Sequence, residues 1–336
     1  MELLKKLCSI SAASGNETGL RNFITEEIKG FCESYETDPL GNLIVFKKGE
    51  KTPQKKMMIA AHMDEVGFIV NYIEKEGLLR FKTVGGISPS VSVGHKVIFE
   101  NGTIGTIIPS KATHQLSSEE RTAPPSFDDL FIDIGALSKE DAEKEISIGD
   151  TAVFYPEWIE NDESVFSKAL DDRIGVFTMI NIIKGSIPFD AYFVFTVQEE
   201  VGLRGAATAA FSVAPDIALV IDSTTANDLP DQSGCDRVCL QNEGAVISFM
   251  DNSTVYDKDL WKKILEISKK HGIKAQLKTK VAGGNDAGSI HRSRGGVKTA
   301  AISAPCRYIH SGLSLVRKCD IEAIERLVLT LLGELL

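Results

Sequence analysis

The chain has 336 residues, 43% of them hydrophobic, with 37 Lys and Arg against 47 Asp and Glu for a formal net charge of −10. That length allows one large or two ordinary domains with buried cores, and the acidic balance argues against nucleic acid or an anionic membrane as main partner, since neither is drawn to such a surface. The opening MELLKKLCSISAASGNE has no sustained apolar segment and no run approaches the ~20 apolar residues that span a bilayer, so a cytoplasmic location is expected.

Leu20, Phe23, Ile24, Ile28 and Phe31 recur at helical spacing over 20–31, DPLGN at 38–42 makes a turn, and LIVF and then MMIAA (57–61) are strands, the second running into His62. From 66 to 163 the texture changes to short β-type runs (FIVNYI, HKVIFE, GTIGTII, LFIDIG, DTAVFY) separated by Gly, Asn and charged turns, which predicts a small all-β module. Within it SKATHQLSSEERTAPPS, 110–126, is polar and proline-bearing and is expected to be a flexible loop.

After 164 strands and helices alternate again. A buried helix is predicted at 173–184, strands at 191–197, 217–221, 245–250, 273–280 and 299–303, a helix at 257–271, and a last helix with Asp320 as its N-cap. The two α/β segments, 1–65 and 164–336, therefore read as one domain interrupted by the 66–163 module. Six cysteines (Cys8, Cys32, Cys235, Cys239, Cys306, Cys319) show no CxxC spacing and are expected to be free thiols. The Cys235 and Cys239 spacing is only a weak metal signal.

In an α/β sheet, ligands collect outside the carboxyl ends of the strands. There the sequence puts His62 and Asp64 after MMIAA, Glu199 and Glu200 after AYFVFTV, Asp222 after IALVI, and His310 beyond TAAIS; Asp171 and Asp172 stand just before a helix. Taken singly, these aspartates could cap a helix or a turn, and His95, His114, His271 and His291 read as surface or scaffold. Together, two imidazoles and several carboxylates in one crevice are costly unless positive charge joins them. With His62, His310, Asp171, Glu200 and Asp222 as ligands, three negative charges face two divalent ions, and one bridging hydroxide neutralises the set. Such donors without thiolate suit zinc first, then cobalt or manganese.

The motifs AHMDE (61–65), KALDDRIG (168–175), TVQEEVGLRGA (196–206), VIDST (220–224), GGNDAG (283–288) and RYIHSG (307–312) resemble, in order, those of the M42 metallo-aminopeptidases, relatives of glutamyl aminopeptidase and the tetrahedral (TET) peptidases. The resemblance runs through the β module as well, with its GGISPSVSVG and EERTAPP stretches. It implies a mixed-sheet, three-layer dinuclear catalytic domain interrupted by a β-barrel-like dimerisation domain. It implies that His62 and Asp222 hold one metal and Glu200 and His310 the other, that Asp171 bridges them, and that Glu199 is the general base. Asp64 would hydrogen-bond the far nitrogen of His62. Short peptides would be the substrates, and the subunits would pair as dimers, in some relatives building a tetrahedral dodecamer. Asn285 stands where the family often has Thr, and THQLSSEER departs from the commoner loop. Three rival readings are a dinuclear N-acyl amino-acid deacylase or dipeptidase, a glycosidase using paired carboxylates, and a protein in which the metals are purely structural.

Overall fold

A computed structural model describes residues 1–335 apart from 112, 116, 119–123, 231 and 233. Helices α1 (Glu2–Ser9) and α2 (Thr18–Ile28) lead into β1 (Ser34–Thr37), β2 (Leu43–Lys47) and β3 (Met57–His62). Six strands follow, β4 (Gly67–Ile73), β5 (Leu79–Val84), β6 (Lys96–Phe99), β7 (Ile104–Pro109), β8 (Leu130–Asp133) and β9 (Thr151–Phe154), with the single-turn α3 (Lys139–Ala142) before the last of them. The remainder runs β10 (Trp158–Glu160), β11 (Ser164–Ser167), α4 (Leu170–Lys184), β12 (Ala191–Thr196), α5 (Arg204–Val213), β13 (Ile217–Thr225), β14 (Ala245–Ile247), α6 (Lys258–Lys270), β15 (Ala275–Leu277), α7 (Ala287–Ile290), β16 (Lys298–Cys306), β17 (Ser314–Arg317) and α8 (Lys318–Glu334).

An eight-stranded mixed sheet, ordered β1-β2-β12-β3-β13-β16-β14-β15, forms the centre. Its four middle strands are parallel, and antiparallel pairs join β2 to β12 and β14 to β16. All six residues of β3 are buried, because both faces of a central parallel strand are covered. Met57, Ile59 and Ala61 pack with α1, α2, α4 and α8, whereas Met58 and Ala60 face the alanine-rich α5 and Ile290 of α7. The period-two alternation of a strand thus divides helices into two layers around one sheet.

β4 to β9 close into a barrel in the order β4-β5-β8-β7-β6-β9, which leaves no exposed strand edge. Phe68 meets Phe81 and Phe154 edge-on inside it, at ring-centroid distances of 5.2 and 5.3 Å. A small ribbon, β10-β11-β17, ties the chain leaving the barrel to the strand before α8.

Local differences from the sequence reading have physical causes. Arg317, not Asp320, is the N-cap of α8; the buried Asp320 side chain accepts backbone N–H bonds from Asn242 and Gly244 at 2.9 and 2.8 Å. Helices α1 and α5 carry no predicted counterpart, since α5 (RGAATAAFSV) buries small residues that give little periodic signal. The strands expected at 245–250 and 273–280 shrink to three residues each. The loop 110–126 lies partly outside the described residues, as does the side chain of Cys235; the other five cysteines are free thiols. Among the described residues, no helix is long and apolar enough to cross a membrane.

Candidate metal centre

The carboxyl ends of the parallel strands open on a cavity of about 240 Å³ that His62, Asp171, Glu199, Glu200, Asp222 and His310 all line. His62 ends β3, Asp222 sits within β13, and Glu199 and Glu200 follow β12. His310 lies in the turn between β16 and β17 with a left-handed φ of 59°, a conformation that a non-glycine residue holds only when its surroundings impose it. Asp171 and Asp172 open α4 with non-helical backbone angles, and the peptide bond between them is cis.

Asp171 stands between the two imidazoles. Its Oδ1 is 3.2 Å from Nε2 of His62 and its Oδ2 is 3.2 Å from Nε2 of His310. Asp222 Oδ1 lies 3.8 Å from His62 Nε2, and Glu200 Oε2 lies 3.3 Å from His310 Nε2. Each ring is oriented from behind. His62 Nδ1 is 3.0 Å from the Asp64 main-chain carbonyl and His310 Nδ1 is 2.9 Å from the carbonyl of Gly86, a residue after β5 of the barrel. Carbonyls only accept, so both Nδ1 atoms carry the proton and both Nε2 atoms are left to face carboxylates.

The Asp64 carboxylate faces the far nitrogen of His62 and has further partners besides. Its Oδ1 is 3.5 Å from His62 Nδ1, while it accepts backbone N–H bonds from Glu199 at 3.0 Å and Glu200 at 3.1 Å and the Ser14 hydroxyl at 2.6 Å. Glu17 adds a third hold, accepting from Gln198 N–H at 3.1 Å. The turn itself is tight: Gln198 has φ of 56°, Gly202 has φ of 120°, and the Gly202 and Leu203 N–H groups close on the Glu199 carbonyl. Behind the site, Glu65 is clamped by Lys168 at 2.6 Å and Arg173 at 3.0 Å, which fixes AHMDE against KALDDRIG.

The electrostatics show what this arrangement lacks. Burial pushes the Asp222 carboxyl up to about 7, with the Asp171 charge adding to it. Burial favours the neutral form of His310, yet hydrogen bonds that its ring donates to Asp171 and Glu200 hold it protonated up to about 11. Burial, followed by the charges of Asp222, Asp286 and Glu200, holds Glu199 well above the usual carboxylate range despite the opposing effect of His62. Asp172 is raised in the same way, and its Oδ2, like Oε1 of Glu200, is buried with no partner among the described residues.

Donor atoms of His62, Asp171 and Glu200 fall within 4.8 Å of one another, and so do those of His62, Asp172 and Asp222. Imidazole and carboxylate donors, two orphaned acidic oxygens and no thiolate fit divalent cations of the zinc type. Asp172, absent from the expected ligand set, is wholly buried beside it, and its Oδ1 accepts from Gly175 N–H. Nothing in the doublet DD told the two apart.

The other histidines stay outside the site. His291 Nδ1 bonds the Ala287 carbonyl, His271 pairs with Glu334, and His95 lies edge-on to Phe154. Asn285 lines the cavity and bonds the Tyr256 hydroxyl at 2.8 Å. A larger cavity, about 580 Å³, lies between Ser14–Asn16 and the barrel and is lined by none of these ligands.

A mixed sheet with imidazoles and carboxylates gathered at its strand ends can hold a divalent cation, and comparison with known proteins places the chain more closely. The family described as M42 glutamyl aminopeptidase matches residues 41–327. A candidate aminopeptidase of Acetivibrio thermocellus is 41% identical over 329 residues, covering 97% of this chain and 96% of its own. The lysyl aminopeptidase of Pyrococcus furiosus is 33% identical, covering 99% of this chain and 97% of its own. Among solved structures, the TET1 peptidase of Pyrococcus horikoshii, described as assembling into a tetrahedron or a large octahedral shell, superposes with a TM-score of 0.85 at 36% identity over 98% of both chains. The chain belongs to the M42 peptidase family, and it is an enzyme of the peptidase class.

Proposed function

We propose that the protein is a metal-dependent aminopeptidase that removes N-terminal residues from short peptides. The observation that carries this reading is Asp171, whose two oxygens face different imidazoles at the same 3.2 Å. Two divalent ions would be held by His62 and Asp222 on one side and by Glu200 and His310 on the other, with Asp171 between them. When bound, they supply charge that polarises the scissile carbonyl and brings a water pKa toward ~7.

Glu199 lines the same cavity and is the carboxylate this reading leaves free of a metal. It takes the proton of the attacking water and gives it to the departing amine, which suits a carboxyl whose pKa burial has raised. Zinc is the first choice of metal, with cobalt and manganese next. The module 66–163 serves as a dimerisation domain, with dimers able to build a larger shell; light scattering that found only monomer at micromolar concentration would remove that part.

The test is a panel of aminoacyl chromogenic substrates and their N-acylated counterparts, run after chelation and after returning each metal. Hydrolysis of the free-amine set, lost on chelation, is expected. Hydrolysis of acylated amino acids alone would replace this reading by a deacylase. A glycosidase would need carboxylates on opposite sides of a sugar bond, roughly 5 to 9.5 Å apart, with no need of metal.

A further inference from the structure

We infer that Asp286 is a positioning residue of the active site: its buried carboxyl ties the cavity wall formed by 283–285 to the end of β12, the strand that delivers Glu199. Its effect on turnover rests on the aminopeptidase reading.

Gly283, Gly284 and Asn285 line the cavity together with His62, Glu199 and His310. Most of what holds this wall belongs to the segment 251–256. The Gly283 carbonyl accepts the Asn252 N–H at 2.8 Å, and Asn285 donates to the Tyr256 hydroxyl, which donates in turn to Asp251 at 2.5 Å. Ser253 packs so close that a Cβ at Gly284 would stand 2.9 Å from its hydroxyl. None of these contacts reaches the strand whose end carries the base.

Asp286 makes that connection. Its Oδ2 accepts the Thr196 hydroxyl, and among the described residues this is the only hydrogen bond between 283–288 and 191–203. Thr196 ends β12 and lies beside His62 in the parallel pairing with β3. Its hydroxyl is also 3.2 Å from the Ala61 carbonyl, and its own carbonyl accepts the Met63 N–H at 2.8 Å, so it is tied on both sides of His62. Glu199 follows a few residues later. One carboxyl therefore sets the wall against both the turn that holds the base and the strand end that holds an imidazole.

A plainer role for an acid at the start of a helix is to cap it. Asp286 precedes α7, but its side chain bonds none of that helix's N–H groups; Asn285 Oδ1 accepts the Ala287 N–H instead, at 2.9 Å. Asp286 is 1% exposed, and its Oδ1 has no partner among the described residues. A buried carboxyl left half-satisfied is unfavourable to the fold, so neither capping nor filling space accounts for it. Its charge acts on Glu199, and those of His62 and Asp64 act on it, which puts the carboxyl within electrostatic reach of the catalytic turn.

Two measurements test this. The first is steady-state hydrolysis of an aminoacyl p-nitroanilide by Asp286→Ala, Asp286→Asn, Thr196→Val and the double variant Asp286→Ala/Thr196→Val, with thermal unfolding and zinc content as checks of fold and metal. Asp286→Ala and Thr196→Val are each expected to lower kcat by on the order of 10- to 10²-fold, and to do so more than they raise KM. Zinc is retained, since neither residue is a ligand. Asparagine keeps an oxygen that accepts the Thr196 hydroxyl, so Asp286→Asn should recover most of kcat. The double variant should be no slower than the slower single one, because both remove the same bond. A lower Tm with wild-type kcat and KM, or losses that multiply in the double variant, would show a residue that only supports the fold and would overturn the inference.

The second measurement needs no turnover. Hydrogen exchange read by mass spectrometry on Asp286→Ala and on Thr196→Val is expected to quicken in both 283–290 and 196–203. Faster exchange confined to 283–290 would overturn the connection. Were the wild type to hydrolyse no aminoacyl substrate with any metal, the aminopeptidase reading would fall, while paired quickening of the two segments would still uphold the tie between wall and strand end.

Discussion

The carboxylate of Asp64 holds the backbone of Glu199: Oδ1 accepts the Glu199 N–H at 3.0 Å and Oδ2 the next N–H, of Glu200, at 3.1 Å. One buried side chain thus sets the position of both glutamates. Asp64→Ala leaves two N–H groups and the Ser14 hydroxyl without an acceptor, at about 1–3 kcal/mol for each that stays buried. Displacement of the turn by an ångström is expected to lower kcat by on the order of 10²-fold. Asp64→Asn keeps one accepting oxygen and should fall between the wild type and the alanine variant in both thermal stability and rate. Equal kcat in all three would show that the turn holds itself.

The neighbouring glutamates should part company when each is changed. Glu199→Gln retains metal, measured by elemental analysis, and loses turnover by on the order of 10²–10⁴-fold. Glu200→Gln removes the partner 3.3 Å from His310 Nε2 and is expected to lose metal along with activity. If Glu199→Gln lost metal as readily as Glu200→Gln, the division of work between them would be wrong.

That two carboxylates reach the crevice was legible because an apolar run, FVFTV, ends on two charges; the division of work between them came only from the resemblance. The strand-end residues His62, Asp222 and His310 carried the same kind of signal. Asp64 was visible as an acid beside His62, but its hold on the Glu199 and Glu200 backbone was not, since an acceptor of backbone N–H bonds leaves no pattern in the side chains it serves. Ser14 and Glu17 were hidden for the same reason, lying in an N-terminal segment far from Gln198 in sequence. Asp320 was misread because an acid near a helix start looks like a cap, whereas the bonds it makes reach across the fold to Asn242 and Gly244.

Protons and metal compete for the same atoms, which gives a signed dependence on pH. Without metal, His310 titrates near 11 against an ordinary 6.5, and Asp222 near 7 against 3.8. Both are raised in the folded state, so their contribution is complete below the ordinary value and is lost as pH rises through the folded one. The chelated protein should therefore lose stability from this site between pH about 4 and about 7 through Asp222, and from about 6.5 to about 11 through His310. Zinc replaces those protons. The gap in Tm between zinc-loaded and chelated protein is expected to be wider at roughly pH 9 than at roughly pH 6. A gap that narrowed with pH would mean that these groups do not bind the ion.

Gly205 packs against Asn42, the residue before β2, and the Val197 backbone, and a side chain there has nowhere to go. A Cβ at that position would stand 2.3 Å from Asn42 Oδ1 and 2.4 Å from the Val197 carbonyl. Asn42 is itself buried and tied on both sides, accepting from Val197 N–H at 3.0 Å and donating to the Gly205 carbonyl at 2.9 Å. Gly205→Ala must push α5 away from the end of β12 or break these bonds. Overpacking of this kind costs about 1–3 kcal/mol, read as a lower Tm. Because Glu199 lies in the turn between β12 and α5, the same shift should lower kcat more than it raises KM. Gly202→Ala, whose Cβ would meet open space, is strained only through its φ of 120° and tests the turn separately. A Gly205→Ala protein with wild-type Tm and kcat would show that the contact relaxes without moving the site.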